Sequence, residues 1–139
     1  MKENEFSPDQ MFLENASKFP YDETVRLLTD RISAIGWKTS MIHDLQATLK
    51  KNGKEVLPIK IFELCNPVYS GQLLEVDSLK IYSSMMPCRL SVYEKEGGKA
   101  YISRMNSAAM AASIGGKVEE VMRKAFIDIE KVLEYFITA

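Results

Sequence analysis

Two cysteines, Cys65 and Cys88, are the residues of this chain whose type and setting point most directly to chemistry. Cys65 ends the apolar run 59–65 and is followed at once by Asn66 and Pro67. Asn accepts backbone N–H bonds at a helix N-cap, and Pro suits the first helical position because the donor it lacks would have no partner there. The first thiol therefore stands where a strand gives way to a helix, beside the positive end of a helix dipole, a setting in which reactive thiols are found. Cys88 follows Met86-Pro87 and opens a run in which Cys88, Leu90 and Val92 alternate with Arg89, Ser91 and Tyr93, the period of a half-buried strand. Such a pair fits redox sensing or sulfur transfer, with Cys65 as nucleophile and Cys88 as its resolving partner. The competing reading is that both are core residues, since free cysteine is among the most buried types and each lies on an apolar run. Strand direction separates the two. Antiparallel neighbours would bring the end of one strand against the start of the other, whereas a parallel crossover would hold the thiols a strand length apart, roughly 17–20 Å.

Other candidates carry less. His43, the single histidine, precedes Asp44, but neighbours on an extended segment point to opposite faces and form no acid–base dyad by adjacency alone. Asp44 reads as the cap of a short helix and His43 as a partly exposed strand end. Around the turn, Asn66, Pro67 and His43 are the candidate ligand-binding residues, with Asn66 also explained as a plain cap. Met85, Met86, Met105, Met110 and Met122 form no clustered Met-x-Met pattern and read as core filler. Two cysteines without further ligands do not make a zinc site, so no metal and no cofactor is expected. Gly115-Gly116 lacks the spaced glycines and the lysine of a phosphate loop and reads as a hinge.

The elements that must position these residues follow from size and pattern. With 139 residues, 46% of them hydrophobic, the chain has enough apolar surface for one core and too little length for two ordinary domains. Residues 1–10, with Ser7-Pro8-Asp9, read as a flexible arm in which Phe6 is free to pack on a neighbour; residues 11–139 read as one domain. Eighteen basic residues against 19 acidic ones provide no field for nucleic acid or an anionic bilayer. No apolar leader and no run near the roughly 18 residues of a spanning helix stands out, which points to a cytoplasmic protein without nucleic-acid or membrane partners.

In order, the pattern predicts a strand over 11–17 and a helix over 20–35 capped by Gly36, with Val25, Leu28, Ile32 and Ile35 on its core face. An extended segment over 37–42 and a short helix over 45–51 follow. After the strand 59–64, a helix from Pro67 would turn Tyr69, Leu73, Leu74 and Val76 to the sheet and end near Asp77-Ser78. Residues 81–86 are expected to be extended, with a bulge or sheet edge at Pro87. Glu96-Gly97-Gly98 pairs strands 88–94 and 99–104 as a hairpin. Residues 106–116 read as a short helix or close-packed loop. The last helix carries Val118, Val121, Met122, Ala125, Phe126, Ile129, Val132, Leu133 and Phe136 on one stripe, with Ile127 and Tyr135 off it as a hint of a partner surface. The sum is an α+β, two-layer domain, a mixed or antiparallel sheet packed by helices.

Three motifs in this order resemble one prokaryotic family, the domain of unknown function 302. They are Asp44-Leu45-Gln46-Ala47-Thr48-Leu49-Lys50-Lys51 after the second strand, Leu64-Cys65-Asn66-Pro67, and Met86-Pro87-Cys88 followed by Val92-Tyr93-Glu94. The chain departs from the family in having Met86 for the usual Leu and His43 where an apolar residue commonly stands. The resemblance implies a TATA-binding-protein-like α+β sheet, commonly homodimeric, and no assigned reaction. The function expected is therefore that of a small homodimeric, non-catalytic module binding a small molecule or partner at the Cys65-Asn66-Pro67 turn, with thiol chemistry at Cys65 and Cys88 as the alternative.

Overall fold

The computed structural model describes residues 11–86 and 88–137. The expected arm 1–10 and the irregularity expected at Pro87 lie outside them. Eleven elements follow one another: β1 (Phe12–Ala16), α1 (Tyr21–Ala34), β2 (Lys38–Asp44), α2 (Leu45–Lys51), β3 (Ile59–Cys65), α3 (Pro67–Leu74), a 3₁₀ segment (Asp77–Met85), β4 (Cys88–Glu94), β5 (Ala100–Met105), α4 (Ser107–Ala112) and α5 (Gly116–Leu133). The five strands form an open sheet in the order β1-β5-β4-β3-β2, antiparallel at every pairing. The fold is α+β, with helices packed on the sheet.

Local chemistry sets most of the boundaries. Asp44 accepts the Ala47 N–H at 3.0 Å and starts α2, and Asn66 accepts the Val68 N–H at 3.0 Å and starts α3. Between β4 and β5 the chain turns through Gly97 and Gly98, at φ 100 and 85, a left-handed region that glycine enters without a Cβ clash. Alternation along β3 and β4 sends Phe62, Leu64, Leu90 and Val92 to one face, where they meet Leu28 and Ile32 of α1 and Ala125, Ile129 and Leu133 of α5. A second cluster joins Leu73, Ala111, Val118, Val121 and Met122. Helix α5 thus serves both clusters, its first half facing α3 and α4 and its second half the sheet.

Two expectations need correction. Residues 81–86 are not a strand: Asp77–Met85 is a 3₁₀ helix. Leu79, Tyr82 and Met85 pack on the second cluster at three-residue spacing, the period that eclipses i and i+3 in a 3₁₀ turn, while Ile81, which suggested a strand, is 74% exposed. Helix α3 ends at Leu74, so Leu74 and Val76 are exposed and only Leu73 of its predicted core face is fully buried. Ile127 and Tyr135, off the core stripe, are both exposed, the Tyr135 ring also standing 3.2 Å from the Arg31 guanidinium.

The other face of the sheet contributes no residue to either buried cluster among the described residues. It presents Phe12 (69% exposed), Met41, Ile61, Tyr93, Tyr101 and Met105, interrupted by ion pairs. Tyr93 and Tyr101 stack there at 6.4 Å, and Tyr93 donates to Glu14, which holds the Glu14 carboxyl below its ordinary value. Among the described residues no helix is long and apolar enough to cross a membrane.

Candidate functional site

Register brings the backbones of the two cysteines together. Leu64 lies opposite Cys88 on the antiparallel β3–β4 ladder, and Cys65 is the next residue along. Strands about 5 Å apart across such a pair and a rise of about 3.4 Å along it put the two Cα atoms roughly 6 Å apart, while alternation along β3 turns the Cys65 side chain to the face opposite Leu64 and Cys88. Both cysteines are free and half-buried. They border one cavity of ≈ 300 Å³, walled by Trp37, Leu64, Tyr69, Leu73, Val121, Met122 and Ala125, with Asn66, Ser40, Ser70 and Ser83 as polar groups.

Burial pushes the Cys88 thiol up to about 11, and the neighbouring Cys65 adds to the effect. A neutral thiol is the form an apolar wall tolerates. At pH 8 the Cys88 thiolate is then about a hundredfold scarcer than that of an ordinary thiol. We expect Cys88 in a Cys65→Ser variant to be alkylated by iodoacetamide about a hundredfold more slowly than the same residue in the unfolded chain at pH 8, with the rate still climbing beyond pH 10. The linked effect on stability has a definite sign. A folded thiol that binds its proton more tightly than the unfolded one contributes stability that falls away as pH rises from the unfolded value, about 8.5, towards 11.

One carboxylate ties together two of the rings that line the cavity. Tyr69 on α3 donates its hydroxyl to Asp128 Oδ2 at 2.9 Å, and Trp37 donates Nε1–H to the same oxygen at 3.4 Å. The two rings meet at 5.9 Å, and the Asp128 contact raises the Tyr69 phenol above its ordinary value. Three elements distant in sequence are tied at this oxygen. Asp128 is off the apolar stripe of the last helix and nothing in the sequence links it to Trp37 or Tyr69, because those partners lie 91 and 59 residues away and leave no local signal. The uniqueness of Trp37, directly after a helix-ending glycine, is the one cue the sequence offers.

Not every candidate residue converges here. Asn66 borders the cavity while capping α3, whereas Pro67 starts α3 and does not border it. His43 is outside the cavity: strand alternation puts it on the other face of the sheet, with Nε2 2.9 Å from Glu63 Oε2 and Arg89 Nη2 3.3 Å from that same oxygen. Asp44 caps α2 and does not border the cavity.

A family profile described as a domain of unknown function, DUF302, matches residues 13–136. The chain belongs to the DUF302 family. In this DUF302 domain the Cys65-Asn66 turn and the Cys88 strand start form adjoining parts of one cavity wall. The crystal structure of an uncharacterized conserved DUF302 protein from Bacillus stearothermophilus is similar to it, with a TM-score of 0.80, 17% sequence identity, and coverage of 91% of this chain and 98% of that one. At such identity the likeness speaks to the fold alone. No curated protein matches the chain.

Proposed function

We propose that this DUF302 protein is a non-catalytic binding module, working as a homodimer in a reducing, cytoplasmic setting, whose ligand is a small molecule with a mainly apolar body. The cavity beside Cys65 and Asn66 carries this reading. Its ≈ 300 Å³ lies at the lower end of volumes used for small ligands, and its mainly apolar and aromatic wall with a few hydroxyls and one amide is the usual make-up of such a site. The described residues bordering it include no carboxylate or imidazole to act as general base, which favours binding over turnover. Trp37, the chain's one tryptophan, borders the cavity and reports on it. A fragment library screened by thermal shift should yield compounds that raise the Tm and alter Trp37 emission. Both effects should vanish in Ala125→Leu, which fills the cavity from α5. A screen in which nothing stabilises the protein, or hits indifferent to Ala125→Leu, would sink the reading.

Dimerisation is supported by the apolar face carrying Ile61, Tyr93, Tyr101 and Phe12, which none of the described helices buries in either core. A stable dimer needs about 1,200–2,000 Å² of total buried surface. Ile61→Glu should convert the dimer to a monomer in sedimentation velocity, and a wild-type chain that sediments as a monomer at micromolar concentration rules the dimer out.

The Cα spacing of Cys65 and Cys88 supports a second reading, thiol chemistry in which the pair closes to a disulfide as two protons and two electrons leave to an acceptor disulfide. Thiols that resist both oxidised glutathione and alkylation in the folded protein would exclude it.

A further inference from the structure

The border of the ≈ 300 Å³ cavity offers a ligand no counter-ion. Among the described residues that line it there is no lysine, arginine, histidine, aspartate or glutamate, whichever of their atoms face inward. Charged residues do adjoin the wall in sequence. Strand alternation turns Lys38, Glu63 and Arg89 to the other face of the sheet, where Glu63 and Arg89 pair at 3.3 Å. The carboxylate behind the ring wall, Asp128, does not border the cavity and already accepts from Tyr69 and Trp37.

Hydrogen bonds within the fold also use up most of the donors at the border. Trp37 and Tyr69 donate to Asp128, Ser40 Oγ donates to the Glu63 carbonyl at 3.1 Å, and Ser70 Oγ donates to the Asn66 carbonyl at 3.3 Å. Asn66 Oδ1 accepts the Val68 N–H at 3.0 Å, so the cap fixes which end of that amide is committed and leaves the Nδ2 end without a partner among the described residues. Thiols aside, the donors that remain on bordering side chains are the Asn66 amide N–H groups and the Ser83 hydroxyl. Ser40 and Ser70, their protons engaged, are left as acceptors.

We propose that the ligand of this cavity is an uncharged molecule: an apolar body of fused-ring size lodged against the Trp37 and Tyr69 rings, carrying one neutral amide-like group whose oxygen accepts from Asn66 Nδ2. The inference rests on the binding-module reading and narrows its ligand to one chemical class. A carboxylate or phosphate entering here gives up its water shell for one amide and one hydroxyl and meets no cation; an ammonium meets hydroxyl oxygens and no carboxylate. An amide loses far less on leaving water, and its carbonyl and N–H match the free donor of Asn66 and the acceptor oxygens of Ser40 and Ser70.

Three probes of nearly one shape test this: 2-naphthamide, 2-naphthoate and 2-naphthamidinium, which are neutral, anionic and cationic at pH 7. Isothermal titration calorimetry on the reduced full chain should show the amide binding, the two ions binding about tenfold or more weakly, and all binding lost in Ala125→Leu. Asn66→Asp is the second arm. Aspartate is an equally good cap for the Val68 N–H, so the fold should persist, as circular dichroism will show, while the free amide donor is replaced by a carboxylate. In that variant the amide should bind about tenfold more weakly and the amidinium about tenfold more tightly than in wild type. An ion that binds the wild-type chain as tightly as the amide overturns the proposal, as does an amide that fails to bind at millimolar concentration or a folded Asn66→Asp variant that keeps the wild-type order. Each of these leaves the binding-module reading standing on its own fragment hits, whereas a fragment screen without hits removes that reading itself.

Discussion

Arg104→Met should destabilise the protein by about 3 kcal/mol or more, a large share of the 5–15 kcal/mol typical of a domain. Arg104 and Glu130 are 4% and 7% exposed, and the guanidinium donates from Nε and Nη2 to the two carboxylate oxygens, each at 2.8 Å, while Nη1 donates to Asn15 Oδ1 at 2.8 Å. The pair locks β5 to α5, with β1 attached through Asn15. Removing the cation leaves a buried carboxylate with no countercharge, which is far more costly than the pair's net contribution. The double variant Arg104→Met/Glu130→Leu should therefore recover most of the loss. The ≈ 140 Å³ cavity bordered by both residues gives water a place to enter, which sets the expectation at the lower end of the usual 3–5 kcal/mol range for such pairs. Urea unfolding of the two variants reads the difference directly. A single variant that loses less than about 1 kcal/mol would mean the carboxylate is effectively hydrated.

Phe62→Ala should cost about 3–5 kcal/mol. Phe62 is fully buried, second from the sheet's β2 edge on β3, with Ile42 and Leu90 opposite it on the two neighbouring strands and α1 and α5 covering it. Truncation removes the ring's transfer free energy and leaves a void that close-packed neighbours fill only in part. The loss should appear as a lower urea midpoint with an unchanged m-value, since the surface exposed on unfolding scarcely changes.

Particular residues mark where sequence reasoning holds. The Asn66-Pro67 helix start, the Asp44 cap and the Gly97-Gly98 hairpin all stand where local chemistry put them, within a residue or two. Each depends on backbone donors, a short polar side chain or a positive φ within a few positions. The 77–85 segment went the other way. Its β-branched and aromatic residues suggest a strand, but packing of Leu79, Tyr82 and Met85 on α5 and α4 outweighs that propensity. Arg104 and Glu130 were legible only as a strand end and a helical acid, because they are 26 residues apart and their pairing depends on how α5 crosses the sheet.

By itself the sequence determined the α+β class, the order of nearly all the elements, and the placing of one thiol at a strand end and the other at a strand start. Those features are local, decided by periodicity and capping over a few residues. Tertiary structure alone decided that the two cysteines are backbone neighbours, that His43 stands on the opposite face and that Asp128 binds Trp37 and Tyr69. A cavity is the volume left between packed surfaces. Its walls come from β2, β3, α3, the 3₁₀ segment, β4 and α5 together, and their meeting depends on strand register and helix placement across the whole chain.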